Sequence, residues 1–212
     1  DHHLIFQTMN EPRVVGTAYE WNIDTRNDDC MAAIDVVNDL NQASLDAIRA
    51  TGGRNSDRFV IISPYAGNHM AVMLDRFHMP EDSVENKLIL SIHAYTPYNL
   101  CLNIRSDEAD FGISHLTEIK GFMKNVNYRY VQKGIPVIID EMGIINKNNP
   151  ETRYAWAKDY VAAAKEYGMV CCWWDNGEVN GSGENFGLLD RQQLQVHPAC
   201  QSVYEGLMAG LE

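Results

Sequence analysis

Two kinds of apolar pattern alternate along the chain, and that alternation leaves few folds open. Five short runs, Leu4-Ile5-Phe6, Phe59-Val60-Ile61-Ile62, Leu88-Ile89-Leu90-Ser91-Ile92, Val137-Ile138-Ile139 and Met169-Val170-Cys171-Cys172-Trp173, are rich in β-branched, aliphatic or aromatic residues. Each reads as a buried strand. Between them apolar residues recur at helical spacing: Met31 to Ala50, with Ile34, Val37, Leu40, Leu45 and Ile48 on one stripe and Gly52-Gly53 as the stop, then Ile113 to Lys133, then Glu151 to Tyr167, ending at Gly168. A shorter period lies near Met70 to Phe77, and Pro198 to Leu211 reads as a closing helix with proline in its first turn. Repeated strand-then-helix order predicts a parallel sheet covered by helices, either an open doubly wound sheet or part of a (β/α) barrel. A nucleotide-binding open sheet would carry a glycine-rich phosphate loop after its first strand, and none is present there.

The chain's 212 residues suit a single domain, and no linker, repeat or low-complexity tract divides it. The 17 basic and 29 acidic residues leave a net charge of −12, which repels phosphate backbones and anionic lipid, so nucleic acid is not an expected partner. No apolar run approaches the ~20 residues of a membrane-spanning helix, so no membrane partner is expected. The start Asp1-His2-His3-Leu4 has no leader-like pattern. The 5 cysteines, Cys30, Cys101, Cys171, Cys172 and Cys200, include no C-x-x-C pair. They read as buried free thiols, with Cys171 and Cys172 pointing to opposite faces of a strand. Neither a metal nor a cofactor is expected.

Chemistry gathers where strands end. The first strand runs into Met9-Asn10-Glu11-Pro12-Arg13, and the fourth into Asp140-Glu141-Met142-Gly143. Each therefore places a carboxylate at the C-terminal end of a parallel strand, the side on which barrels and open α/β sheets bind ligands. Singly, such residues cap helices or pair with arginine. Together, they could supply the two carboxyl groups of glycoside hydrolysis, which stand about 5–5.5 Å apart for retention and about 6.5–9.5 Å for inversion. The third strand ends Ile92-His93-Ala94-Tyr95, so alternation sends His93 and Tyr95 to one face, where His93 could bond Glu141 or its neighbourhood and the Tyr95 hydroxyl could orient the carboxylate. The fifth ends Trp173-Trp174-Asp175-Asn176-Gly177, in which Trp173 suits the core and Trp174 suits a sugar ring. Trp21, in the long loop from Arg13 to Asp29, fits either loop packing or ligand contact. A second long polar loop runs from Asn176 to Gln195.

This ordered set of motifs, from Leu4-Ile5-Phe6-Gln7-Thr8-Met9-Asn10-Glu11-Pro12-Arg13 through His93-Ala94-Tyr95 and Glu141-Met142-Gly143 to Trp173-Trp174-Asp175-Asn176-Gly177, resembles the glycoside hydrolase family 5 cellulases over essentially the whole chain. The resemblance implies a retaining (β/α)8 barrel that cuts β-1,4-glucan by double displacement. It makes Glu11 the acid/base, Glu141 the nucleophile and Asn10 the amide that binds the sugar 2-hydroxyl. His93 and Tyr95 would support them, Trp174 would stack on the sugar, and the enzyme would be secreted. In that family the Asn-Glu-Pro strand is the fourth of eight. The implied fold is therefore a truncated barrel over residues 1–212 with five parallel strands and the first three strand–helix units absent. Such a sheet would leave the Leu4 and Met169 strands as apolar edges, which predicts a homo-oligomer or assembly with a separate chain, and reduced activity. A catalytically weak or dead carbohydrate-binding partial barrel is the alternative.

Overall fold

A computed structural model describes residues 3–181 and 183–212. Asp1 and His2, part of the start inspected for a leader, and Ser182, in the second long loop, lie outside the described residues. In chain order the elements are β1 (Phe6–Gln7), α1 (Asp28–Ala50), β2 (Val60–Ile62), α2 (Ala71–Leu74), β3 (Leu88–His93), α3 (Tyr98–Cys101), α4 (Ile113–Arg129), β4 (Val137–Met142), α5 (Pro150–Glu166), β5 (Val170–Trp173), β6 (Leu189–Asp190), β7 (Gln195–Val196) and α6 (Gln201–Ala209). The first five strands form one sheet in the order β1-β2-β3-β4-β5. Phe6 pairs with Val60, and Val60 with Leu88, in parallel register. Five parallel strands alternating with helices are the partial barrel architecture anticipated from the sequence. The chain divides into two compact units.

The first unit holds residues up to His93 together with Tyr128–Ile138. Ile34 and Leu45 of α1, Val60 and Ile62 of β2, Leu90 and Ile92 of β3 and Met73 of α2 are fully buried. Burial of each such side chain contributes ~1.5–3 kcal/mol. The sequence periodicity places the start of α1 at Met31, but the helix begins at Asp28. Asn27 caps it by accepting the Cys30 amide at 3.0 Å, and Asp28 and Asp29 oppose the positive end of its dipole. Its last turn is tied down by Arg49, which donates to both Asp82 oxygens at 2.8 and 2.6 Å and to the carbonyls of Asn55 and Arg58. The segment expected as a helix over 70–77 supplies only one α-helical turn, α2.

The second unit holds Ala94–Asn127 and the residues from Ile139 onward. Trp156, Ala157 and Tyr160 of α5 are fully buried. Gly206 on α6 and Gly210, which caps its C-terminal end one turn later, let that helix lie against the α5 backbone. A Cβ on Gly206 would collide with the Tyr154 carbonyl, and one on Gly210 would come within 2.5 Å of the Lys158 carbonyl. The closing helix expected over 198–211 is a 3-10 turn, Pro198–Cys200, followed by α6. The polar loop expected over 176–195 contains the antiparallel pair β6–β7, invisible as a hairpin because its turn carries Leu194 at φ 53° rather than a glycine.

Several expectations of burial are corrected: Leu4 and Ile5, read as part of a buried strand, precede β1 and are exposed. The β5 strand reads as buried, yet Val170 is 64% exposed, because β5 ends the sheet and has a strand neighbour on one side only. Cys172 on the same strand is exposed, while Cys30, Cys101 and Cys200 are buried and Cys171 is partly so. Burial pushes the Cys171 thiol up to about 12.

Candidate active site

The first unit positions Glu11. After the Thr8 amide donates to the Ile61 carbonyl at 3.0 Å, the chain leaves the sheet and needs new partners for its polar groups. A buried polar cluster supplies them. The Thr8 hydroxyl donates to Asn41 Oδ1 at 2.6 Å, Asn41 Nδ2 to the Ser63 carbonyl at 2.9 Å, and the Ser63 hydroxyl to the Met9 carbonyl at 2.6 Å. Asn41 is fully buried on α1, so losing any of these bonds strands a buried polar group. The segment after β2 continues the support. The Ala66 amide donates to the Pro12 carbonyl at 2.8 Å, while the Tyr65 hydroxyl accepts from the Val14 amide and donates to the Tyr19 carbonyl, both at 3.1 Å.

Held in this way, Glu11 Oε1 stands 2.7 Å from Nδ1 of His93, the last residue of β3. The sequence reading placed His93 toward Glu141 or its neighbourhood; this bond is to Glu11. Behind the imidazole Gly67 adopts φ +62°, and a Cβ there would lie 2.8 Å from His93 Cγ. The His93 carbonyl accepts from His69 Nδ1 at 3.2 Å. Burial lowers the His69 pKa to about 4, so this ring is neutral near pH 7 and carries its proton on the nitrogen facing that carbonyl. Arg13 borders Glu11 on another side, donating to its carbonyl at 2.9 Å, with Nη1 3.6 Å from Oε2. The same guanidinium donates to Glu20 at 3.1 Å and lies 3.9 Å above the ring of Trp21, which is 48% exposed. Asn10, one residue before Glu11, is exposed.

The second unit positions Glu141 at the end of β4. Its carbonyl accepts the Ala94 amide at 2.9 Å, and its Oε2 accepts the Tyr95 hydroxyl at 2.9 Å. The carbonyls flanking Tyr95 bond to α5: Tyr160 donates to Ala94 at 2.8 Å and the Trp156 indole to Thr96 at 2.9 Å. The Tyr95 ring packs on Phe186, with centroids 5.2 Å apart. The Trp174 amide donates to the Met142 carbonyl at 2.9 Å, and its indole is 41% exposed. Trp173 instead turns inward, edge-on to Trp156. Burial would raise the Asp175 carboxyl, but the amides of Leu188, Gly177 and Leu189 and the charge of Arg191 outweigh it and hold the group below its usual range.

The first unit thus offers a carboxyl group four residues past β1, bonded to His93, and an exposed indole at Trp21; the second offers a carboxyl group at the end of β4, bonded to Tyr95, and an exposed indole at Trp174. The sequence profile described as cellulase (glycosyl hydrolase family 5) matches residues 1–180. The chain belongs to glycosyl hydrolase family 5. Among relatives within and around the family, Endoglucanase 1 of Ruminococcus albus is 40% identical over 196 residues, 92% of this chain and 46% of that protein. Endoglucanase B of Neocallimastix patriciarum is 40% identical over 211 residues, 100% of this chain and 42% of that protein. The chain thus spans about half the length of these relatives. The glycoside hydrolase 5 lichenase from a Caldicellulosiruptor species, solved with cellotetraose, superposes with a TM-score of 0.93 at 38% identity, covering 100% of this chain and 58% of that one. A broad specificity endoglucanase from Ruminococcus champanellensis with bound cellotriose gives 0.90 at 39%, covering 98% and 58%. These alignments match the five-stranded chain to part of a family 5 barrel.

The sequence reading missed Tyr65, Gly67 and Phe186 and gave Arg13 no role. A signal existed for the first two. Ser63-Pro64-Tyr65-Ala66-Gly67 directly follows β2, an interior strand whose end faces the same side as those of β3 and β4. Phe186 carries no local signal, because its importance comes from a contact made across a large sequence separation.

Proposed function

We propose that the chain carries the catalytic carboxylates of a retaining, endo-acting β-1,4-glucan hydrolase. The observation that carries this reading is the placement of Glu11 and Glu141 at the ends of β1 and β4, each with its own partner, His93 and Tyr95. The relatives' names, endoglucanase and lichenase, and the cello-oligosaccharides bound to two neighbours give it the substrate class.

In the proposed cycle Glu141 attacks the anomeric carbon and forms a glycosyl ester, while Glu11 gives its proton to the departing oxygen. Water then attacks the same carbon with Glu11 taking its proton, and the ester bond breaks to release the sugar with its configuration retained. This requires the two carboxyl groups to flank one glycosidic bond at about 5–5.5 Å. The Tyr95 hydroxyl fixes the plane of the Glu141 carboxylate. Asn10 supplies the amide to the 2-hydroxyl, and Trp174 and Trp21 offer flat apolar faces to sugar rings. Reducing ends released from carboxymethylcellulose test the reading: wild type releases them and Glu141→Gln does not. Equal release by both would overturn it.

The partner proposed for the sheet's open edges is a second copy of the chain. Leu4 and Ile5, preceding β1, are 53% and 46% exposed and Val170 on β5 is 64% exposed, more apolar edge than a soluble sheet normally leaves bare. Action on polysaccharide outside the cell is the matching location.

A further inference from the structure

We propose that Phe186 is a positioning residue for Glu141, acting through Tyr95, and that the strap Asn185–Gly187 exists to hold its ring in place. This rests on Glu141 being the nucleophile. It adds a residue and a loop to the site that no strand-end motif contains.

Phe186 comes from the loop between β5 and β6, yet its side chain is fully buried. Its ring meets Tyr95 at 5.2 Å between centroids and an interplanar angle of 40°, within the range in which aromatic pairs attract. The ring also lies close against Gly143, two residues after Glu141. A Cβ at Gly143 would come within 2.7 Å of Phe186 Cδ1. Phe186 therefore packs against both the strand end that carries Glu141 and the tyrosine that bonds it. Sliding the ring by the width of a methyl group would move the Tyr95 hydroxyl relative to Glu141 Oε2.

The backbone around Phe186 is clamped residue by residue. Its carbonyl accepts the Trp173 indole at 2.7 Å, and its amide donates to Asn176 Oδ1 at 3.2 Å. Asn185 Oδ1 accepts the Asn146 amide at 3.0 Å. The Gly187 amide donates to the Glu178 carbonyl at 2.7 Å, and its own carbonyl accepts the Cys200 thiol at 3.0 Å. A Cβ on Gly187 would sit 2.8 Å from the Glu178 backbone, so the strap has one seating. Partners on β5, the loop after β4 and the turn before α6 all fix the same three residues. An exposed loop needs no such anchoring merely to close a chain. A nucleophile that accepts a hydrogen bond from Tyr95 does, since a small misplacement of a reacting group lowers the rate steeply.

The test is a double-mutant cycle between Phe186→Leu and Tyr95→Phe on cello-oligosaccharide hydrolysis, with the Glu141 carboxyl 13C resonance as a second readout. Phe186→Leu is expected to lower kcat by about tenfold with KM within about twofold, and to have no further effect once Tyr95 is Phe. Phe186→Tyr, which keeps the ring, should restore most of the rate. The Glu141 resonance should move in Phe186→Leu toward its position in Tyr95→Phe and should not move further in the double variant. Effects on rate or resonance that multiply or add independently in the double variant would overturn the proposal, as would an unchanged Glu141 resonance in Phe186→Leu. If Phe186→Leu does not fold, Gly143→Ala presses on the same ring and must give the same coupling with Tyr95→Phe. An inactive wild type would count against the hydrolase reading, while the resonance cycle would still decide whether Phe186 orients Glu141.

Discussion

The Glu11 carboxyl and the His93 imidazole meet at 2.7 Å, with the His93 side chain 4% exposed and that of Glu11 18% exposed. The nearly buried imidazole gives the carboxyl group proposed as acid/base a fixed hydrogen-bonding partner. Gly67 guards that contact, because an added Cβ would stand 2.8 Å from His93 Cγ at a backbone angle of +62°. Gly67→Ala should lower hydrolysis of cello-oligosaccharides by about ten- to hundredfold, up to the lower end of what general acid–base assistance supplies. It should change kcat/KM for a dinitrophenyl cellobioside only slightly, since that leaving group needs no proton, although kcat should still fall because Glu11 also serves as base when water attacks. Equal losses of kcat/KM on both substrates would contradict the role given to the Glu11–His93 pair.

Trp21 is held by the Arg13 guanidinium, 3.9 Å above its ring, and is 48% exposed. As a sugar platform it should contribute to binding more than to bond cleavage. Trp21→Ala is expected to raise KM for long oligosaccharides by about tenfold, the loss of roughly 1.4 kcal/mol of uniform binding, with kcat little changed. Initial-rate kinetics on cellotriose to cellohexaose check this. A fall in kcat at unchanged KM would assign Trp21 to the transition state instead.

Acid should weaken the first unit in two stages. Burial lowers His69 to about 4, below its unfolded value of about 6.5. The unfolded chain therefore binds more protons between these values, and stability present above pH ~6.5 falls as pH drops toward ~4. The loss is at most about 3 kcal/mol, less to the extent that water reaches the partly exposed ring. Asp82 follows at lower pH. Its hydrogen bond with Arg49 outweighs burial and holds its carboxyl below the usual range, so its contribution is present above the ordinary aspartate value and disappears as pH falls through the depressed one. Urea denaturation at pH 7, 5 and 3.5 should show both losses, and His69→Gln should flatten only the first. A wild-type stability flat from pH 7 to 4.5 would contradict the His69 assignment.

The contact between α5 and α6 depends on Gly206, where a Cβ would meet the Tyr154 carbonyl and approach Ala157 Cβ at 3.0 Å. Alanine favours a helix over glycine by about 1 kcal/mol, yet Gly206→Ala should destabilise by roughly 1–3 kcal/mol because overpacking against a backbone carbonyl has no rotamer to relieve it. Thermal melts check the sign, and an unchanged or higher Tm would show that α6 shifts without cost.

Much of the sheet and the site was legible in the sequence for a shared reason. Interior strands such as β3 and β4 are continuous apolar runs because both faces are covered, and Glu141 and Tyr95 follow those runs directly. The illegible parts depend on partners far along the chain or on a single side chain. Asn27 moves the start of α1 three residues ahead of its apolar stripe. Leu194 turns a hairpin without glycine. Gly67 matters because of His93, and Phe186 because of Tyr95. The exposure of Val170 followed from strand order rather than composition, since an edge and an interior strand can share one sequence pattern.

Peptide mapping after incubation with a 2-deoxy-2-fluoro cellobioside bearing a dinitrophenyl leaving group tests the double-displacement account most directly, because the fluorine slows release of the glycosyl ester more than its formation. Mass spectrometry should find one fluorocellobiosyl group per chain, on the peptide containing Glu141, and none in Glu141→Gln. A label on any other carboxylate, or an unlabelled wild type, would contradict the account.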